Sequence, residues 1–418
     1  MDRAKIKRHY YFKLLIFSVI VGVAASILAW LLKTITISFQ ELLFDIAKEK
    51  SWMFIIFPTI GITAIYFLRK YLFKNRKNKG ITEIYKTVDQ RKDHLPIFKI
   101  PSHFINGFLT VIFGGSTGIE VSTVVASATL GNTAYENRFS PNLYKLELIC
   151  AGVVAGVSVL FGSPIVGWLF ALEVIAKKVN KTLFFSCTAS ALVSWGFLHI
   201  IKTEPLFPIA ITEWKWSALP FFIVLSLLGG VLSVYFTLLV TRIKDFFSGI
   251  NNNFLRVNLG ALIVGILIFT FPFLYGDSYH SLGEMVLHPT NYSFVFLFLL
   301  VLLKPLASAL TLGAGGDGGV FAPSIVLGVF LGFLFAFVCN TYFGTTFIYV
   351  NFMLVGAAAT LSASIYAPLT ALFLVCNLAP NGYALFLPIL IASFVAQYFA
   401  KKLLAYNVYT YPMDTNTK

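Results

Sequence analysis

Apolar runs recur along this chain, several of them long enough to cross a lipid bilayer, and they restrict its possible folds more than any other feature. They cover residues 11–32, 52–68, 148–172, 183–201, 217–240, 254–275, 292–312, 320–342 and 383–400. A hydrocarbon core about 30 Å thick is spanned by about 20 helical residues. No water is available there to satisfy peptide groups, and these segments are read as helices. Three further apolar stretches, 104–113, 121–131 and 366–378, are too short to span and are expected as broken or re-entrant pieces buried in protein. Of 418 residues, 58% are hydrophobic and 12% charged, against about 25% charged for a soluble domain. The expected fold class is therefore all-α, a polytopic membrane protein.

The formal net charge of +14 raises the question of a nucleic-acid partner. Its placement answers it. Lysines and arginines cluster at Arg3–Lys13, Arg69–Lys79, Lys177–Lys181, Arg242–Lys244 and Lys401–Lys402, each beside an apolar segment. That is the positive-inside pattern of cytoplasmic loops, which also attracts anionic lipid headgroups. No basic stretch interleaved with aromatics forms a soluble module, so membrane lipids are the expected partner and nucleic acid is not. A multi-pass protein of the cell (inner) membrane is expected, and the same rule makes both termini cytoplasmic. The first apolar run follows a basic start but lacks a small-residue cleavage site, and it reads as a retained first helix. Cys150, Cys187, Cys339 and Cys376 lie singly in apolar runs, with no metal-ligand or disulfide spacing. No cofactor or metal is expected.

The chain also repeats itself. "GGSTGIEVS" from Gly114 lies over "GGDGGVFAP" from Gly315, with Gly114/Gly315, Gly115/Gly316 and Gly118/Gly319 coincident at an offset of 201 residues. Further on, Gly152/Gly356 and Pro164/Pro368 coincide at an offset of 204, and an apolar helix follows in both lines. Two blocks in the same order indicate an internal duplication, 1–205 and 206–418, within one transmembrane domain. If each half crosses an odd number of times, the repeats are inverted. Short, glycine-interrupted segments at matching places then point to a binding site near the midplane.

A glycine run before a helix lets the backbone approach a ligand and presents unpaired N–H groups. The helix dipole adds partial positive charge, so the first turn is an anion site. Gly319-Val320-Phe321-Ala322-Pro323 opens a helix over 323–338 in this way, with Pro323 suited to an early helical position. Gly118-Ile119-Glu120-Val121 opens a helix over 121–131. A carboxylate inside the membrane is costly, so Glu120 is a functional hypothesis by default. At an anion site it acts as a tethered, protonatable plug, a gate. The alternative is a carboxylate that only caps its own helix.

These residues resemble the CLC family of voltage-gated chloride channels and proton/chloride antiporters, over nearly the whole chain. Gly319-Val320-Phe321-Ala322-Pro323 matches the family's GxFxP element, and Gly118-Ile119-Glu120-Val121-Ser122 its GREGP element. Asn78-Lys79-Gly80-Ile81-Thr82-Glu83-Ile84 falls on GSGIPEI. Asn407-Val408-Tyr409-Thr410 falls where the family has its pore tyrosine, with Tyr406 a weaker candidate. The resemblance implies an inverted-repeat helical fold with broken and re-entrant helices, usually a homodimer. It implies a chloride or other small-anion pathway gated by Glu120, with anion contacts from Lys79, Val121, Val320, Phe321 and Tyr409. The CBS domains of many members are not expected here.

Departures from the pattern carry information. Lys79 replaces a serine that holds the central anion, and Asp317 replaces a small residue. These two are expected to neutralise each other. Ile119, Val121 and Ser122 replace the residues around the gate. In "FALEVIAKK", Glu173 matches a structural glutamate, while Val174 occupies the internal proton-glutamate position of antiporters and carries no proton. The reading leans to a channel or uncoupled pore, with a proton-coupled chloride antiporter, or a relative selective for another anion, as the alternative.

Other classes fit less well. Gly114-Gly115-Ser116-Thr117-Gly118 matches a G-x-S-x-G nucleophile elbow as a string. Yet His9, His94, His103, His199, His280 and His288 all fall in loops or at segment ends, with none mid-helix to act as base. An enzyme is not expected. A cation-coupled transporter needs more acids at depth than Glu120, Glu147, Glu173 and Asp317. Lys304 beside Pro305 reads as a snorkelling or kinking residue, and 276–291 as a connecting loop. In this reading Glu120→Gln mimics the protonated gate: anion flux loses most of its pH dependence, and flux that keeps the wild-type pH profile removes Glu120 from the gate.

Overall fold

The computed structural model describes residues 3–76, 78–89, 95–138, 143–201 and 205–411. His94 lies outside the described residues. Sixteen α-helices follow one another among them. They are α1 (Arg3–Glu49), α2 (Met53–Phe67), α3 (Ile81–Asp89), α4 (Lys99–Ile112), α5 (Glu120–Arg138), α6 (Lys145–Phe161), α7 (Pro164–Phe170) and α8 (Lys181–Ile200). Then come α9 (Leu219–Ser248), α10 (Asn253–Thr270), α11 (Tyr279–Leu287), α12 (Phe294–Ala314), α13 (Phe321–Tyr342), α14 (Tyr349–Ile365), α15 (Pro368–Cys376) and α16 (Phe386–Leu403). Eight helical stretches among the described residues are long and apolar enough to cross a membrane. The all-helical expectation holds.

The structure corrects four sequence readings. The first run is not a helix of bilayer length: α1 extends over 47 residues, because no glycine or proline interrupts the chain between Gly22 and Pro58. Run 148–172 is broken in two. Gly162 caps α6 in the left-handed region at φ 67°, and Ser163-Pro164 starts α7. Stretch 121–131 is the buried front of a longer helix, since "GNTAYENR" continues α5 to Arg138. Segment 276–291 is not a bare loop; it contains α11 and a short 3-10 turn, Pro289–Asn291.

The chain forms two compact units. The first comprises Met1–Ile35, Asn78–Ile105 and Glu120–Glu204; the second comprises Thr36–Lys77, Asn106–Ile119 and Pro205–Lys418. In the first, α6 packs against α5, α7 and α8. In the second, α14 packs against α13, α9, α15 and α16. The same order of parts occurs in both. A buried helix (α5 or α13) is followed by another (α6 or α14), which ends on a left-handed residue, Gly162 at φ 67° or Tyr366 at φ 57°, before a proline-started short helix (α7 or α15).

Small residues bring these helices together. A Cβ placed on Gly131 of α5 would run into the Leu148 carbonyl of α6, and one on Gly332 of α13 into the Phe352 carbonyl of α14. With lipid as apolar as the side chains, close backbone approach and dispersion carry helix association. Helix α13 is the extreme case: 83% of its most apolar window is buried inside the protein, so it is a core element more than a lipid-facing one. Gly332→Leu is expected to lower the melting temperature and the monodisperse yield in detergent, at a cost of at least about 1–3 kcal/mol for overpacking. Gly196→Ala, where an added Cβ meets nothing within 4 Å, serves as the silent control.

Candidate functional site

In the second unit the two glycine loops pair directly. Gly118 and Gly319 form an isolated antiparallel bridge, and Thr117 Oγ1 donates to the Gly319 carbonyl at 2.8 Å. Side chains from the preceding helices hold each loop. Ser116 N donates to Thr311 Oγ1 at 3.0 Å, and Asp317 N to Thr110 Oγ1 at 2.9 Å. The exchange is reciprocal: the threonine before each glycine run supports the other loop. Gly114 and Gly315 both adopt positive φ, 81° and 109°, which a side chain would strain. This joint delivers the chain to the start of α13. Val320 is its N-cap and brings no side-chain cap, while Val320 and Phe321 are 1% and 2% exposed. The start of a helix carries the positive end of its dipole.

The expected neutralisation of Asp317 by Lys79 is replaced by another pair. Arg69, in the π-helical end of α2, places Nη2 3.6 Å from Asp317 Oδ2. Its Nη1 donates to the Gly315 carbonyl at 2.8 Å. The guanidinium thus holds both the carboxylate and the backbone of one loop, a fork that a lysine does not offer. Lys79 has an exposed side chain, and its structural contribution comes through its backbone N–H.

That N–H donates to Glu83 Oε1 at 2.9 Å in the first unit. Glu83 heads a buried network. Lys99 Nζ lies 2.6 Å from Glu83 Oε1, and His103 Nε2 lies 3.5 Å from Oε2. Asn78 Oδ1 accepts from Lys99 Nζ and Ser102 Oγ, both at 3.2 Å. Burial alone would push the Glu83 carboxyl up; the nearby His103, together with the charge and hydrogen bond of Lys99, outweighs it and holds the carboxyl below the ordinary range. The network fixes the Lys79-Gly80 turn against α5. A Cβ on Gly80 would lie 3.2 Å from Val121 Cγ1. Glu120 opens α5 at 4% exposure, and Val121 is 2% exposed. In the same unit Val174 is 3% exposed in the π turn after α7, and its carbonyl accepts from Tyr85 Oη at 3.0 Å.

Tyr409 belongs to the second unit. Asn407 Oδ1 accepts from Tyr409 N at 2.9 Å and Thr410 N at 3.1 Å, an Asx turn that folds the chain back after α16. Tyr409 is 5% exposed, whereas Tyr406 is only half-buried and packs against Tyr411. The first unit therefore gathers Lys79, Glu120, Val121 and Val174, and the second Val320, Phe321 and Tyr409. Among the described residues no three His, Cys, Asp or Glu side chains gather as a metal site.

Sequence reasoning missed Arg69, Thr110, Thr311 and the role of Glu83. It also misread Lys304. This lysine is fully buried and does not snorkel. Its signal was visible, a cation inside an apolar run, but its partners come from two distant segments, Ser116 in one and Gly276 and Ser278 in the other.

Buried helix starts, glycine-loop joints and charges compensated at depth define a polytopic membrane protein built to admit a small ion. The model of the voltage gated chloride channel family matches residues 60–401, and the chain belongs to that family. Family members are transporters or channels, so this is a CLC-family anion-transport protein and not an enzyme. The chain is 27% identical over 361 residues to the H(+)/Cl(-) exchange transporter ClcA of Vibrio cholerae serotype O1 (strain ATCC 39541 / Classical Ogawa 395 / O395), covering 82% of this chain and 75% of that protein. Two solved structures share the fold. A slow cyanobacterial Cl-/H+ antiporter superposes with a TM-score of 0.81 at 20% identity, covering 96% of this chain and 97% of that one. A CLC-type fluoride/proton antiporter gives 0.80 at 21% identity, with 98% of both chains covered.

Glu83 provides a pH test. Its carboxyl is held below its unfolded value, so the network stabilises the fold at neutral pH. That contribution is lost as pH falls from about 4.3, the ordinary glutamate value, through the lower folded value. Wild-type melting temperature should drop over that acid range. Glu83→Gln should melt lower at pH 7, by about 3–5 kcal/mol for a broken buried pair, and show a shallower acid loss.

Proposed function

We propose that this protein conducts chloride across the cell (inner) membrane as a channel or uncoupled pore, gated by Glu120. The observation that carries this reading is the pair of buried helix starts. Glu120-Val121 opens α5, and Val320-Phe321 opens α13 beyond the bridged glycines. The backbone N–H groups of Val121, Val320 and Phe321 are the anion donors, Tyr409 contributes its hydroxyl, and Lys79 raises anion affinity from the inner side through its exposed ammonium. Glu120 competes with the anion while ionised and yields when protonated. The two matched runs, α5–α7 and α13–α15, are the inverted repeats of this design.

Val174 supports the uncoupled mode. A valine buried at 3% exposure offers no proton acceptor at the position the family resemblance assigns to the internal proton glutamate. A second reading, proton/chloride antiport, is favoured by the relatives, which are named exchangers. It requires another internal proton route. The protein is read as a homodimer from its family resemblance, and with both termini cytoplasmic, an orientation that the basic ends of its apolar segments support.

Chloride efflux and external pH recorded together from chloride-loaded proteoliposomes, with and without a potassium ionophore, distinguish the readings. Chloride release without proton movement is expected. Proton uptake in fixed ratio to chloride establishes the antiporter, and absence of chloride flux removes chloride as the substrate.

A further inference from the structure

Lys304 lies within membrane-spanning α12 and is 0% exposed. Its ammonium donates to Ser278 Oγ at 2.7 Å, Ser116 Oγ at 2.9 Å and the Gly276 carbonyl at 3.3 Å. An ammonium has three protons, and all three of these acceptors are neutral oxygens. The surrounding groups come from several elements. From the α10–α11 connection comes Asp277, which interacts electrostatically with Lys304. Asp277 Oδ1 accepts from Gln40 Nε2 of α1 at 2.9 Å and from Tyr279 N at 3.1 Å. From α11 comes His280, whose buried ring nitrogens make no hydrogen bond and whose ring packs 4.1 Å from Phe44. Lys48 of α1 acts on His280 from farther off, and Tyr275 packs beside it. Burial pushes the Asp277 carboxyl up and, helped by Lys304 and Lys48, the His280 imidazole down to about 3.

Packing alone gives a poor reason for this arrangement. A buried cation, even beside a carboxylate, often costs stability that an apolar side chain of similar volume would not. Its location gives a better one. Ser116 sits between Gly115 and Thr117, its N–H is held by Thr311, and Thr117 ties the same loop to Gly319 beside the α13 start. Lys304 is therefore one residue away from the joint that aims the Val320 and Phe321 N–H groups. A charge in a low-dielectric interior acts over several ångströms without touching its target.

We propose that Lys304 is a positioning residue of the anion pathway: through Ser116 it fixes the joined glycine loops, and it adds a standing positive charge behind them that Asp277 attenuates. The proposal rests on the anion-transport reading above. It differs from a structural role in one respect. Removing the cation and neutralising the nearby carboxylate must change anion affinity in opposite directions.

The test is chloride binding by titration calorimetry on the purified full chain, with flux from proteoliposomes, for wild type, Lys304→Met, Asp277→Asn and Ser116→Ala. Asn keeps the oxygen that Gln40 and Tyr279 use. Lys304→Met is expected to weaken chloride binding about tenfold and Asp277→Asn to tighten it by about threefold. Ser116→Ala keeps the charge and is expected to weaken binding less than Lys304→Met. Where Lys304→Met does not fold, Asp277→Asn decides: unchanged or weaker affinity overturns the proposal. Wild-type binding with both charge variants unchanged, or shifted in the same direction, overturns it alone. A wild type that neither binds nor moves chloride overturns the transport reading, and this proposal with it.

Discussion

A peptide N–H or C=O without a partner in hydrocarbon costs several kcal/mol, and most of this structure follows from how the chain meets or withholds that pairing. Long helices satisfy it internally. Where a helix must begin inside the protein, the first-turn donors stay outside the ladder. The chain spends glycine and threonine at those points. Thr110 and Thr311 each end one helix and support the opposite loop, and the Gly118–Gly319 bridge closes the arrangement. What remains at Val320 and Phe321 is a buried helix start with no capping side chain from Val320, a feature that an ordinary membrane helix avoids and an anion site needs.

Charge at depth is handled by the same economy. Three buried ionic groups show it. Glu83 has Lys99, His103 and the Lys79 N–H. Asp317 has Arg69, whose guanidinium also binds the Gly315 carbonyl. Lys304 has two hydroxyls and a carbonyl. Because the pairs are also hydrogen-bonded to backbone, they fix loop geometry as well as charge. That is a better account of their presence than stability, since buried ion pairs often add little of it.

The two matched helix runs show how little sequence is needed to repeat a design. Gly131 against Leu148 and Gly332 against Phe352 set equivalent close approaches, and Pro164 and Pro368 restart the chain after a left-handed residue. In the second run Tyr366, not glycine, takes that conformation at φ 57°. Its hydroxyl donates to the Leu404 and Tyr406 carbonyls at 2.7 and 3.0 Å, which anchors the chain after α16. The strain of a non-glycine residue there is offset by contacts that glycine could not make.

The sequence by itself determined the helical membrane class, the internal repetition, the glycine-flanked helix starts and the placement of Glu120 and Phe321 at them. These are local properties: apolar length, glycine and proline position, and residue order all act within one segment. The tertiary structure decided the partners. Arg69 takes Asp317 although 248 residues separate them, and Lys304 draws on Ser116, Gly276 and Ser278. No spacing rule encodes such pairs, because desolvation and charge compensation depend on which helices pack together. The break at Gly162 was written in the chain as Gly-Ser-Pro, yet the apolar run across it concealed it. Hydropathy reports burial, whereas the backbone dihedral that a packed neighbour allows decides where a helix ends.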